Sequence, residues 1–306
     1  MNVSVAMAVY NGEKYLKDQV DSIMCQLDAD DEMIISYNES TDNTIKVLAD
    51  INKEYPSIKI YQWKEKGVIS NFENAITHCT KDFIFLSDQD DVWEPNKIEE
   101  VMNVFKADPT VLTVVHNCPY VDAELKPLGK DLFKDRNVRK GFFKNLVRNG
   151  YQGCCMAFRK DIVPFITPMP RNVAMHDQWI GLLSERAGHI YFLNKPLIKY
   201  RKHNGSNSTN HVQIVWKIKW MWNMGRHVFG VLNEKKMLKW YLQSIYAPEK
   251  KGKFDYSYGY ENDPEHITDT PKEKVVEEKE DNNNETMMYM VDELQDDTNE
   301  ESDSKE

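Results

Sequence analysis

Phe83-Ile84-Phe85-Leu86-Ser87-Asp88-Gln89-Asp90-Asp91-Val92-Trp93-Glu94-Pro95 is the stretch whose reading decides the fold. It begins as an apolar run with the length and β-rich composition of a buried strand. Three carboxylates then fall within four positions, and Pro95 opens a helical pattern. In an open α/β sheet the carboxyl end of a strand is where ligands bind, so these acids are expected to face a crevice. Clustered carboxylates repel one another unless a cation offsets them. Hard oxygen ligands suit magnesium or manganese, which bind through one or two carboxylates together with substrate phosphates. The alternative is a solvated turn in which Asp91 or Glu94 caps the next helix.

Upstream, strands and helices alternate. Val3 to Val9 reads as a first strand, ended by the turn signal Tyr10-Asn11-Gly12. Leu16, Val20, Ile23 and Leu27 then mark one face of a helix. Glu32 to Ser36 gives a second strand, followed by a helix carrying Ile45, Leu48 and Ile51. Ser57 to Tyr61 gives a third, and Gly67 precedes a helix burying Val68, Phe72, Ala75, Ile76 and Cys79. This rhythm predicts βαβ units and a mostly parallel sheet.

After a helix from Asn96 to Ala107 and a strand from Val111 to Val115, the pattern loosens. The stretch to Lys140 reads as loop and short strand, and Gln152 to Phe158 as strand. A short helix follows from Lys160, a longer one runs from His176 to near Gly188, and Ile190–Leu193 and Leu197–Arg201 read as a strand pair. Residues 211–253 interleave Trp216, Trp220, Trp222, Phe229, Trp240 and Tyr241 with nine Lys or Arg against two Glu. That segment reads as amphipathic helices, either packed on the sheet with a basic outer face or resting on an anionic membrane surface.

The chain has 306 residues, 41% hydrophobic, enough to bury a core. Its net charge of −10 divides unevenly: residues 254–306 hold 19 acidic and 4 basic side chains, net −15, and residues 1–253 hold 30 and 35, net +5. The tail has the composition of disorder. A basic excess this small does not argue for nucleic acid. Five cysteines at irregular spacing signal neither a disulfide framework nor a zinc site. No 18-residue apolar window or leader pattern is visible, so the expected compartment is the cytoplasm.

With these elements placed, residues 1–210 resemble the family 2 inverting glycosyltransferases of GT-A fold, in particular the rhamnosyltransferase-like branch. Three motifs carry the likeness in order: Val5 to Gly12, Gly67-Val68-Ile69-Ser70-Asn71-Phe72-Glu73-Asn74-Ala75, and Ser87-Asp88-Gln89-Asp90-Asp91-Val92-Trp93. The resemblance implies a Rossmann-like, mostly parallel central sheet flanked by helices, with C-terminal amphipathic helices and a disordered acidic tail. It also implies a nucleotide-sugar half at about 1–115 and an acceptor half at about 116–210. By it, Ala8, Tyr10, Asn11, Asn38, Asn71, Asp88 and Gln89 contact the nucleotide sugar, and Asp88 and Asp90, with His203, hold Mg2+ or Mn2+. Asp91, Trp93, Gly153, Cys154, Gln178 and Trp179 serve the sugar or acceptor, and Arg201 of Tyr200-Arg201-Lys202-His203 serves the diphosphate. His176-Asp177-Gln178-Trp179 resembles the family's base motif, with Asp177 the catalytic base; the plainer reading is a first-turn acid stabilised by the helix dipole.

One departure stands out. Where the family has S-D-D-G-S-T-D, this chain has Ser36-Tyr37-Asn38-Glu39-Ser40-Thr41-Asp42. Two carboxylates and a turn glycine are replaced. The implied activity is transfer of a sugar, rhamnose first, from a dTDP- or UDP-linked donor to a saccharide or lipid-linked saccharide in surface polysaccharide synthesis, with peripheral membrane contact through 211–253. The altered turn keeps open a catalytically inactive relative that binds a glycan or partner enzyme. A nucleotidyltransferase would show a Gly-rich phosphate loop after the first strand, and Ala8 to Gly12 is not one.

Overall fold

The computed structural model describes residues 2–202 and 214–246. The readings made on His203, on the rest of 203–213 and on 247–306, including the acidic tail, lie outside the described residues.

In chain order the first half runs β1 (Val3–Val9), α1 (Leu16–Met24), β2 (Glu32–Asn38), α2 (Thr44–Glu54), β3 (Lys59–Trp63), α3 (Val68–Thr77) and β4 (Phe83–Ser87). After the acidic turn come β5 (Val92–Trp93), α4 (Lys97–Ala107), β6 (Val111–Asn117), β7 (Pro119–Val121) and β8 (Pro127–Asp131). The rest comprises α5 (Leu132–Arg136), α6 (Phe142–Val147), β9 (Met156–Arg159), α7 (Val163–Ile166), α8 (His176–Ala187), β10 (His189–Pro196), β11 (Ile198–Arg201), α9 (Ile214–Glu234) and α10 (Lys236–Tyr246).

Seven strands form one sheet in the order β10-β6-β9-β4-β1-β2-β3, parallel throughout except that β9 runs antiparallel to both neighbours. Both faces of this sheet are covered, which is why its central strands read as continuous apolar runs. Along β1, Val5, Met7 and Val9 enter the core beneath α1, α2 and α4, whereas Ala6 enters the opposite core with Ile34 and Leu86, beneath α3 and α8. Met7 lies opposite Ser87, and Val9 opposite Tyr37, so β1, β2 and β4 end together at one edge. A second sheet, β5-β11-β7-β8, stands beside that edge, with Tyr200 of β11 opposite Tyr120 of β7.

Several local expectations are corrected. Residues Gly153–Cys155 form a 3-10 turn, and the strand starts only at Met156. β10 and β11 do not pair with each other: β10 extends the large sheet beside β6, and β11 joins the small one. Only Leu197 separates them, too short for a two-residue hairpin turn. On α2 the inward positions are Thr44, Leu48 and Ile51, at i, i+4 and i+7, and Ile45 is exposed. The stretch read as loop contains α5, too short to show periodicity; its signals are capping ones, Asp131 accepting from the Lys134 N–H at 3.0 Å and Asn137 closing the helix in the left-handed region. The C-terminal helices pack chiefly on α8, and α9 also on α6, burying Met224, Val228, Leu242 and Tyr246 in the core on that side of the sheet.

Candidate active site

The turns after β1, β2 and β4 are tied into one rim. Asn11, in the left-handed region at φ 53, donates its N–H to Ser40 Oγ at 2.9 Å, and its Oδ1 accepts from the Thr41 N–H at 2.8 Å. Gln89 clasps the Tyr10 backbone: Nε2 donates to the Tyr10 carbonyl and Oε1 accepts the Tyr10 N–H, both at 2.8 Å. A Cβ on Gly12 would lie 2.8 Å from that Oε1, so a larger residue there would push the Gln89 amide out of its clasp. Deeper, Asn71 donates to the Val9 carbonyl at 3.1 Å and accepts from Ser36 Oγ at 2.5 Å, bracing α3 against β1 and β2.

The altered second turn has a clear geometry. Tyr37 is buried in the core beneath α1 and α2 and does not line the crevice. Asn38 directs its amide nitrogen to the carbonyls of Trp63 and Glu65 at 2.8 and 3.0 Å. Both amide hydrogens are thereby engaged, and Oδ1 is the group left to the crevice as an acceptor.

Above this rim opens a cleft of roughly 1010 Å³. Its wall from the first half of the chain includes Ala8, Tyr10, Asn11, Asn38 and Asn71. Asp88, Gln89 and Asp90 form its floor. Gly153, Asp177, Gln178 and Arg201 face them from the second half of the chain. Asp91, Trp93, Cys154 and Trp179 are buried outside this lining. Trp179 donates its indole N–H to the Ile166 carbonyl at 2.7 Å, and Trp93 packs on Phe85.

Burial, the neighbouring Asp90 charge and then Asp177 push the Asp88 carboxyl up to about 7. Asp91 is fully buried; burial and the Asp90 and Asp88 charges raise it well above the carboxylate range. One of its oxygens accepts the Arg201 N–H at 3.0 Å, and the other is buried with no hydrogen-bond partner among the described residues. Ligand atoms of Asp88, Asp91 and Cys154 lie within 4.8 Å of one another. Burial holds the Cys154 thiol well above its usual range, so it is protonated and, being soft, a poor match for a hard cation. Carboxylates this crowded and this poorly solvated fit a hard divalent cation at the exposed side of the cluster, where Asp88 and Asp90 face the cleft. Arg201 is itself a brace: Nε donates to the Asp90 carbonyl at 2.8 Å and Nη1 to the Ala123 carbonyl at 2.5 Å.

Asp177 sits in the first turn of α8, and three donors converge on it. Asn149 Nδ2 and the Gln178 N–H reach Oδ1 at 2.9 and 2.6 Å, and the Gly153 N–H reaches Oδ2 at 3.2 Å. His176 stacks on Phe72 at 3.9 Å, and a Cβ on Gly153 would come within 2.6 Å of its Nε2.

Three residues here had not been singled out from sequence. Lys97 is fully buried, donates to the Cys154 carbonyl at 2.8 Å and lies 3.7 Å from the Trp93 ring centroid; burial lowers it to about 8. Its signal was a cation in the first turn of a helix, where the dipole disfavours one. Arg136 lines the cleft; burial opposes its charge, but Asp177, Tyr120 and Tyr200 outweigh that and raise its pKa. Asn149, on an irregular loop, carried no signal.

The family model described as "Glycosyl transferase family 2" matches residues 4–165. The dTDP-rhamnosyl transferase RfbG of Shigella flexneri is 26% identical over 230 residues, 70% of this chain and 77% of that protein. Other curated relatives are spanned over 66% and 59% of their own length. Among solved structures, S. aureus TarS 1-349 in complex with UDP-GlcNAc superimposes with a TM-score of 0.59 at 14% identity, covering 80% of this chain and 70% of that one. The mannosyltransferase PcManGT from Pyrobaculum calidifontis, in complex with GDP-Man and Mn2+, does so with a TM-score of 0.51 at 16% identity, covering 80% and 72%. These likenesses establish the GT-A architecture.

Proposed function

Because the chain belongs to glycosyl transferase family 2, we propose that it transfers a sugar from a nucleoside diphosphate to a saccharide hydroxyl with inversion at the anomeric carbon. The donor is dTDP- or UDP-linked, with rhamnose first among sugars, and the acceptor is a saccharide or lipid-linked saccharide of a surface polysaccharide. Residues 1–115 take the donor, 116–210 take the acceptor, and the reaction belongs to the cytoplasm, at the inner face of the membrane. The similarity to a dTDP-rhamnosyl transferase supports the donor.

The observation that carries this reading is that Asp88 and Asp177 line the same cleft from opposite halves of the chain, close enough for the Asp177 charge to raise the Asp88 carboxyl. In the proposed reaction Asp177 takes the proton of the acceptor hydroxyl as that oxygen bonds to the anomeric carbon. The bond from that carbon to the diphosphate breaks, and its electron pair leaves with the nucleoside diphosphate. The three donors on Asp177 hold the carboxylate in place for this. Asp88 and Asp90 would hold Mg2+ or Mn2+, which supplies charge stabilisation to the departing diphosphate. Asn38 offers an acceptor to the base, and Asn11 and Gln89 fix the rim around it.

The test is calorimetric binding of dTDP, UDP and GDP with and without Mn2+, on the wild type and on Asp90→Ala, followed by NMR of the glycoside formed. Metal-dependent binding of one nucleotide, lost in Asp90→Ala, together with an inverted product, is the expected result. Failure of every nucleotide to bind would favour the inactive, partner-binding alternative.

A further inference from the structure

We propose that α6 and α9 together form a docking face for an anionic phospholipid bilayer that sets the mouth of the cleft against the membrane. This deepens the lipid-linked acceptor reading and rests on it for its purpose, though not for its geometry. On α9, Ile218, Trp222 and Phe229 fall at i, i+4 and i+11, one stripe of the helix. This stripe flanks the side that buries Met224 and Val228. α6 lies along the same flank: Phe142 meets Phe229 with ring centroids 5.9 Å apart, and Leu146 lies 3.8 Å from where a Cβ on Gly225 would be. Phe143 and Val147 project outward from α6, so two segments distant in sequence build one apolar face. Its five members, Phe143, Val147, Ile218, Trp222 and Phe229, are 50% to 73% exposed. Contiguous apolar surface of this kind marks an interaction site.

Charge decides what covers it. Arg139, Lys144 and Arg148 crowd the same edge closely enough that, after burial, the two arginines are the next causes lowering the Lys144 pKa. None of the three forms an ion pair with a carboxylate among the described residues; Lys144 donates to the Asn137 carbonyl and Arg148 to the Asp135 carbonyl. On α9, Arg226 is exposed beside the stripe. A long helix with exposed Trp and Phe flanked by cations is the pattern of an element lying in a membrane interface. Anionic headgroups answer the cations, and the acyl boundary takes the rings. No helix among the described residues is long and apolar enough to cross a membrane. The face borders the site: Val147 belongs to both, and Trp220 and Met221, the two residues before Trp222, line the cleft from another side of α9.

The experiment is cosedimentation of the full chain with phosphatidylcholine vesicles, with and without phosphatidylglycerol, for the wild type, Phe143→Ser/Trp222→Ser and Arg139→Glu/Arg226→Glu. Circular dichroism verifies that each variant is folded, and nucleotide binding is read separately, so failure of docking and failure of the transferase reading are distinguishable. Expected is binding to the anionic vesicles, weaker by about tenfold or more on phosphatidylcholine alone, in both variants and at high salt. Equal binding by wild type and variants would overturn the proposal. So would an absence of vesicle binding with variant-sensitive dimerisation in ultracentrifugation, which assigns the face to a second copy. An absence of vesicle binding with faster proteolysis of residues 254–306 in the Phe143→Ser/Trp222→Ser chain would also overturn it, and assigns the face to the acidic tail.

Discussion

Asn149 Nδ2 lies 2.9 Å from Asp177 Oδ1, joining the loop after α6 to the first turn of α8. The Gly153 N–H holds the other carboxylate oxygen at 3.2 Å, so the acid is fixed from both sides. A hydrogen bond to a charged group is worth roughly 1.5–3 kcal/mol, which corresponds to about tenfold to a hundredfold in rate if it is needed only to orient the base. Asn149→Ala is therefore expected to lower kcat by about that range and leave the donor KM nearly unchanged. Asp177→Asn should lower kcat further with nucleotide binding intact. Steady-state kinetics with calorimetry on both variants checks this; a kcat in Asn149→Ala equal to wild type would remove the positioning role.

Asp88 gives the cleft a pH dependence. Burial and the charges of Asp90 and Asp177 hold its carboxyl at about 7 in the metal-free protein. A cation must then displace a proton below that pH, so manganese-dependent nucleotide affinity is expected to rise with pH up to about 7 and level off above it. The stability effect has the matching sign. An acid raised in the folded state binds its proton more tightly there than when unfolded, so the metal-free fold loses stability as pH rises from roughly 4 toward 7. Manganese should offset this, raising the Tm more at pH 8 than at pH 5.5. Asp90→Asn removes one source of the upward push and should move the metal-free stability profile to lower pH. Thermal melts and titrations across that range read both effects, and a flat affinity profile would count against Asp88 as a ligand.

Asn38 makes a prediction about the base. With its amide hydrogens engaged by the Trp63 and Glu65 carbonyls, it presents only Oδ1 to the cleft. Uracil and thymine offer an N3–H to such an acceptor, whereas cytosine offers a lone pair there. UDP and dTDP should bind at least about tenfold tighter than CDP. Asn38→Leu should erase that difference. Asn38→Asp keeps an acceptor but leaves the two carbonyls without their donor, so it should preserve base preference at some cost to the Tm. Competition binding of the three nucleotides decides it.

The βαβ rhythm, the strand delivering Asp88 and the helix start at His176 were legible because each rests on local periodicity or on a strand ending in acids. What the residues could not reveal is where long-range partners go. Gln89, a candidate nucleotide contact, clasps Tyr10, 79 positions away. Arg201, a candidate for the diphosphate, braces the acidic turn through the Asp90 carbonyl and Ala123. Tyr37, at the turn that departs from the family, points into the core because the period of β2 sends it inward beside Ile35. Residue type suggested which side chains could serve a cleft, and only the packing between sheets decided which of them reach it.

Glu32 carries a stability prediction distant from the cleft. It is 6% exposed, and its carboxylate accepts Ser4 Oγ at 2.7 Å, the Thr80 N–H and Oγ1 at 2.6 and 2.9 Å, and Lys59 Nζ at 2.7 Å. One side chain thereby joins β1, β2, β3 and the link into β4. Burial alone would raise its pKa, but the Lys59 bond and those from Thr80 and Ser4 prevail and lower it to about 2. A depressed carboxylate adds stability that is complete above the unfolded pKa near 4.5 and is lost as pH falls toward 2. Because Lys59 is 49% exposed and water screens the pair, the contribution is on the order of 1–3 kcal/mol rather than the full shift. Glu32→Gln should lose about that much at neutral pH, and its stability should change less than wild type between pH 5 and pH 2.5. Urea unfolding at both pH values measures the difference, and parallel losses in the two proteins would show that acid sensitivity originates elsewhere.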